Sequence, residues 1–235
     1  MAIRKVGIVA SIPSEIEQFK KVIKDGKWDE KDVVMEVGGV GKASAAMVTQ
    51  KIVCDHDPDL LLYVGGVGAL SPDLMLGDLV VVSQAVDAEM DARTFDPNLK
   101  LGQFPFTDKR IFHPTNNLVE LALNSPLNLT VKEGYTATVS QFLDTEGKRA
   151  FIQEKGEDLE TDGNIRQPNI IDMESIGFLM AADAAGKPCL IIRSVANTAG
   201  GDAPEDYKQF IQNGVDQYLH LVAYVLTQVN KHIDG

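Results

Sequence analysis

The sequence predicts an α/β fold: a three-layer sandwich with helices covering both faces of one mixed, mainly parallel sheet. Two observations lead there. Apolar runs of strand length, such as "KVGIVASI" (5–12) and "CLIIRSVA" (189–196), alternate along the chain with stretches of helical spacing. These runs are apolar nearly throughout, as in strands buried on both faces, which require helices on either side. A third observation bounds the size. The chain has 235 residues, 44% hydrophobic and 24% charged, without repeat, linker or low-complexity stretch, so it is expected to form a single domain, 1–235.

The elements follow in order. After the strand at 5–12, "PSEIEQFKKVIKD" (13–25) predicts a helix, with Pro13 suited to its first turn. "DVVMEVGG" (32–39) is strand-like and "KASAAMVTQKIVCD" (42–55) helix-like. Strands are expected at "DLLLYVGG" (59–66) and "GDLVVVSQAVD" (77–87), followed by a loop-rich middle. "EGYTATVSQFL" (133–143) then predicts a strand and "TEGKRAFIQEK" (145–155) a helix. "ESIGFLMAADAAGKP" (174–188) predicts another, which Gly186 can cap and Pro188 ends. The strand at 189–196 precedes one long C-terminal helix over 204–233.

Composition excludes several function classes. A net charge of -12 leaves no basic face for nucleic acid or an acidic membrane. No apolar stretch is long enough to span a bilayer, and the start is expected to be a first strand rather than a signal peptide. Cys54 and Cys189 fall in no C-x-x-C or Cys/His cluster, so two reduced core thiols and a cytoplasmic setting are expected. "DHD" (55–57) is expected to be loop polarity; no metal site and no cofactor is predicted.

In sheets of this kind ligands bind beyond the carboxyl ends of strands. The motifs worth weighing lie there. "GGVGK" (38–42) fails the phosphate-loop pattern at both ends, at Glu36 and Ala43. A tight turn and a close approach to a sugar or base both remain open for it. "VGGVGAL" (64–70) leaves the same pair of readings. In "IIDMES" (170–175), Asp172 and Glu174 break an apolar run as a helix begins, either as caps or as ligand-edge carboxylates. Glu15 stands in the first turn of a helix at the same edge. The helix dipole there is expected to favour its ionised form, which can activate water.

Together, "VGIVASIPSEIE", "GGVGKASAA", "PDLLLYVGGVGALSPDLMLGDLVVVS", "DARTF…GQFPF", "DMES" and "CLIIRSVANTAG" resemble, in order and spacing, the nucleoside phosphorylase/nucleosidase superfamily. Within it the 5′-methylthioadenosine/S-adenosylhomocysteine nucleosidase family is most similar. The resemblance covers nearly the whole chain. It implies a nucleoside phosphorylase-like α/β sandwich, a homodimer, and hydrolysis of the purine–ribose bond of a small purine nucleoside without a cofactor. It also implies residue roles. Glu15 would engage the attacking water, with Arg193 near it. Glu174 would accept from the ribose hydroxyls, and Met173 would pack on the sugar. Phe142 would stack on the base and the Leu143 backbone would meet its edge. Val40 and Tyr207 would surround the ribose and 5′ group; Phe95 and Pro105 would reach the partner subunit's 5′ pocket.

Two departures stand out. Gly66-Val67-Gly68 replaces a Ser-Ala-Gly-like stretch, with Gly66 and Val67 still expected to border the ligand. Ala196-Asn197 replaces Ser-Asp. The aspartate of the family protonates purine N7, and an amide has no proton to give at neutral pH. Asn197 therefore leaves alternatives: a 6-oxopurine nucleosidase such as futalosine hydrolase, or an impaired nucleoside-binding variant. A phosphate-dependent phosphorylase is disfavoured, because "SIPSEIEQF" and "YVGGVGALSP" carry no phosphate-binding arginine; Arg93 lies outside those positions.

Overall fold

The computed structural model describes residues 2–201, 203–213 and 217–233. The first half runs β1 (Lys5–Ala10), α1 (Pro13–Val22), β2 (Lys27–Trp28), β3 (Lys31–Val37), α2 (Lys42–His56), β4 (Leu60–Ala69) and β5 (Leu79–Asp87). The second half runs β6 (Ile111–Phe112), α3 (Asn116–Leu123), β7 (Val131–Thr138), α4 (Thr145–Lys155), β8 (Ile170–Asp172), α5 (Ser175–Ala184), β9 (Cys189–Asn197), α6 (Ala203–Asn213) and α7 (Gln217–Ile233).

The strands form one mixed sheet in the order β2-β3-β1-β4-β8-β7-β5-β6, with β9 bridging β4 and β5. β9 runs parallel to β4 and antiparallel to β5. That bridge closes β4, β8, β7, β5 and β9 into a ring, so part of the sandwich's central sheet curls into a small barrel. The closing pairs Leu79↔Ser194 and Val81↔Ile192 join segments far apart in sequence, which periodicity alone does not encode.

Alternation along the strands builds two cores. Val6, Ile8 and Ala10 of β1, with Leu60, Leu62 and Val64 of β4, pack under α1, α3 and α7. Val9, Leu61, Tyr63 and Ile191 face the other way, onto α2 and α5. A third cluster packs Phe151 of α4 against Tyr135 and Leu159. A period of two splits each strand between layers, as expected for a sheet covered on both faces. Among the described residues no helix is long and apolar enough to cross a membrane.

Several local expectations change. The loop-rich middle contains β6 and α3, whose Leu118, Val119, Leu121 and Ala122 are buried. The strand expected through 143 stops at Thr138. Val139 N–H is taken by the Asp172 carbonyl and Ser140 by Glu89, so the chain turns away and leaves Phe142 and Leu143 on a loop. Helices α6 and α7 occupy the stretch expected as one helix over 204–233, on either side of residues 214–216, which lie outside the described residues. Cys189 is buried but Cys54 is exposed on α2, so only one of the two thiols is in the core. His113 places its ring Nδ1 3.0 Å from the Ser83 carbonyl.

Candidate functional site

Four charged side chains meet where β1, β4, β8 and β9 end. Glu15, third residue of α1, turns back toward β1 and is 2% exposed. Its Oε2 accepts from the backbone N–H of Ser11 (3.0 Å) and Ile12 (3.2 Å), and its Oε1 from that of Gly66 (2.9 Å). Gly65 makes this possible: a Cβ there would stand 2.6 Å from Glu15 Oε1. The helix-start expectation of a more acidic Glu15 is corrected. Burial raises its pKa above the usual carboxylate value, outweighing the Gly66 amide, Arg193 and the two other amides that favour the anion.

Arg193, on β9 beside Gly65, is fully buried. Its Nη2 donates to Asp172 Oδ2 (2.7 Å) and Glu174 Oε2 (3.4 Å), and its guanidinium lies 4.5 Å above the Tyr63 ring. Burial works against its charge, yet Asp172, Tyr63, Glu174 and Glu15 together raise its pKa further. The two acids of "DMES" divide their duties. Asp172 accepts from Thr138 Oγ1, Ser175 Oγ and Arg193, a structural clasp at the start of α5. Glu174 occupies the N-cap position without capping by its side chain, which instead accepts from Gly41 N–H (3.2 Å). Burial, the largest influence, raises its pKa against the pull of Arg193. The "GGVGK" loop is thus a turn that holds Glu174. Its Lys42 is paired with Asp87 and Glu89, each at 2.9 Å.

Above this floor opens a cavity of about 340 Å³, within the range for small-molecule sites. Glu15, Glu174, Met173 and Val40 line one part of it. Phe142, Leu143 and Tyr207 line another, with the Phe142 and Tyr207 rings edge to face at 5.8 Å. Gly66 and Val67 border it from β4, and Asn197 from the end of β9. These ten predicted site residues therefore share one cavity, which Asp172 lines as well. Arg193 lies behind its wall, holding the carboxylates. Phe95 and Pro105 are not among its lining; Phe95 packs edge to face on Phe106 at the surface. Among the described residues no cluster of His, Cys, Asp or Glu is arranged to hold a metal ion.

One lining residue escaped the sequence reading. Lys148 of α4 is 1% exposed, and its Nζ donates to Asn197 Oδ1 and to the Asn197 carbonyl. Burial brings its pKa down to about 8, against the opposing charges of Asp206 and Asp144. A signal existed. Lys148 precedes Phe151 by three residues and so shares the inward face of α4.

The comparisons with known proteins agree with this architecture. Residues 5–228 match the phosphorylase superfamily, and the chain belongs to that family. It is 23% identical over 240 residues to a 5′-methylthioadenosine/S-adenosylhomocysteine nucleosidase of Bacillus pumilus, covering 95% of this chain and 99% of the relative. It is 25% identical to an aminodeoxyfutalosine nucleosidase of Campylobacter jejuni, covering 89% and 92%. Among solved structures, a futalosine hydrolase of Helicobacter pylori superimposes with a TM-score of 0.83 at 20% identity, covering 96% of this chain and 98% of that one. These relatives are nucleosidases and a related hydrolase, and the likeness to the solved structure is one of fold.

Proposed function

We propose that the protein is a purine nucleosidase, hydrolysing the N-glycosidic bond of a 5′-substituted purine nucleoside. One observation carries the reading: Glu15 is held by three backbone donors at the cavity floor, near the charge of Arg193 and acting on a second carboxylate, Glu174. As the base departs, the ribose becomes positively charged. Three carboxyls around one guanidinium leave this end of the cavity anionic, which favours that charge over the neutral ground state. Glu15 takes a proton from water as its oxygen adds to C1′. The C1′–N9 bond breaks, its electron pair passes into the purine, and the base leaves as an anion held by hydrogen-bond donors and takes its proton from solvent water. Glu174 accepts from the ribose hydroxyls, Met173 packs on the sugar and Phe142 stacks on the base.

Water fits this site better than phosphate. Arg193, the cation behind the floor, is committed to Asp172 and Glu174. Arg93 is bound to Asp91 and Asp158 and does not line the cavity. A phosphate dianion beside Glu15 and Glu174 would lack a free positive partner at that end. The curated relatives favour a methylthioadenosine or adenosylhomocysteine type of nucleoside; Asn197 favours a 6-oxopurine one. The reading includes a homodimer. Phe95 and Phe106 form an apolar pair that is 67% and 91% exposed beside Pro105, a surface suited to a second copy reaching the cavity's open side.

The test is to incubate the protein with methylthioadenosine, adenosylhomocysteine, inosine and futalosine, each with and without phosphate, and to quantify free base. Base release independent of phosphate is expected, and Glu15→Gln should lower it by about 10²–10⁴. Release that requires phosphate would replace the hydrolase with a phosphorylase. Binding without any release would make the protein a nucleoside-binding one.

A further inference from the structure

We propose that Lys148 and Asn197 form a two-donor clamp on the O6/N7 edge of the purine, selecting 6-oxopurine over 6-aminopurine nucleosides. This rests on the purine-nucleosidase reading and adds the class of base. The first argument is the orientation of the amide. An ammonium has three donors and no acceptor, so the Asn197 atom facing Lys148 Nζ is its oxygen. That leaves the Asn197 NH2 as the group facing the cavity, and it bonds to no described residue. The amide is thereby held as a donor and cannot rotate to accept from a 6-amino group without breaking its bond to the lysine.

The second argument is the lysine itself. Buried charges are normally paired, and Lys148 forms no ion pair among the described residues, although it is 1% exposed. Two of its donors go to Asn197, and the third remains for the cavity that it lines. Gly68 makes room for the pair: a Cβ there would stand 3.1 Å from both Asn197 Oδ1 and Lys148 Cε. On β4, Gly68 lies two residues beyond Gly66, whose N–H holds Glu15. At about 3.3 Å per residue the clamp sits roughly 7 Å along the strand from the water-activating carboxylate. The clamp thus serves the base while Glu15 serves the sugar.

The third argument is complementarity. A 6-oxopurine presents two acceptors, N7 and O6, on one edge; adenine presents an acceptor at N7 and a donor at the 6-amino group. Two donors match the first and oppose the second. The charge that enters the purine as the bond breaks spreads onto N7 and O6, toward the ammonium, so the match is strongest in the transition state.

The experiment compares 5′-methylthioinosine with 5′-methylthioadenosine, which differ only at this edge, in wild type, Lys148→Met and Lys148→Arg. The readouts are kcat/KM without phosphate and the affinity for free hypoxanthine and adenine. Wild type should prefer the oxo member of each pair. Lys148→Met should lower the oxo-to-amino ratio by roughly tenfold to a hundredfold, and Lys148→Arg should restore part of it. The ratio is independent of the folded fraction of each variant. A wild type that prefers the amino member, or a ratio unmoved in Lys148→Met, overturns the clamp while the nucleosidase reading stands. Hypoxanthine binding that is preferred and depends on Lys148, without hydrolysis of either nucleoside, keeps the clamp and removes the nucleosidase.

Discussion

The two ends of the cavity are built on opposite electrostatic plans. At the sugar end three carboxyls surround one buried guanidinium, and Glu15, Asp172 and Glu174 are each held by several donors. At the Asn197 end one buried ammonium bonds to amide and carbonyl oxygen, with the carboxylates of Asp206 and Asp144 acting on it without a direct ion pair. The first end carries an excess of carboxyls; the second presents an ammonium with a donor to spare. Cleavage of a purine nucleoside puts positive charge on the ribose and negative charge on the base. The cavity's polarity follows the charge separation of that step.

The strongest way to break this comparison is at the sugar end. Glu15→Gln keeps the size and removes the base, so turnover should fall by about 10²–10⁴; retention of more than a tenth of the rate would relocate the water-activating group. Arg193→Met attacks the same end through stability. It strands Asp172 and Glu174 as buried unpaired acids, and urea unfolding should record a loss of about 3–5 kcal/mol.

The pH profile sharpens the contrast, because the two ends titrate in opposite senses. In the proposed mechanism Glu15 works ionised. Burial raises its pKa above 4.5, so activity should fall on acidification sooner than for an exposed glutamate. In the proposed clamp Lys148 works protonated. Its pKa is about 8, held there by burial against Asp144 at the head of its own helix and Asp206 of α6. Activity on 6-oxo nucleosides should therefore fall as pH rises through about 8, and Lys148→Met should remove that alkaline limb.

Smaller effects are expected from edits that reshape the Asn197 end. Asn197→Asp would pair with Lys148 and present a carboxylate to the base. Turnover of adenine nucleosides should rise by about tenfold, measured as adenine released; no gain would remove the account of this position. Gly68→Ala places a methyl group against Asn197, Lys148 and Ile171 and should cost a few-fold in the oxo-to-amino ratio and about 1–3 kcal/mol of stability.

Much of the first end was legible in the sequence. Glu15 announces itself by Pro13 and the helix start, and Glu174 by the acids that interrupt "IIDMES". What remained hidden there was the division of labour: Asp172 and Glu174 are two residues apart, and only their partners separate the clasp from the ligand-facing group. The other end was legible by half. Asn197 stood out against the family pattern, but Lys148 looked like one more charge on a surface helix. Its contact with Asn197 spans 49 residues and depends on how α4 lies against the barrel.

The sequence by itself determined what is local and periodic: the alternation of strands and helices, burial on both strand faces, the carboxyl-edge location of the site and the acids at helix starts. The tertiary structure decided what is long-range: the closure of β9 onto β5, the burial that raises Glu15's pKa despite its favourable helix start, and the meeting of Lys148 with Asn197. The reason is physical. Strand and helix preferences act over a few residues, whereas desolvation and charge pairing depend on every atom nearby, whatever its distance along the chain.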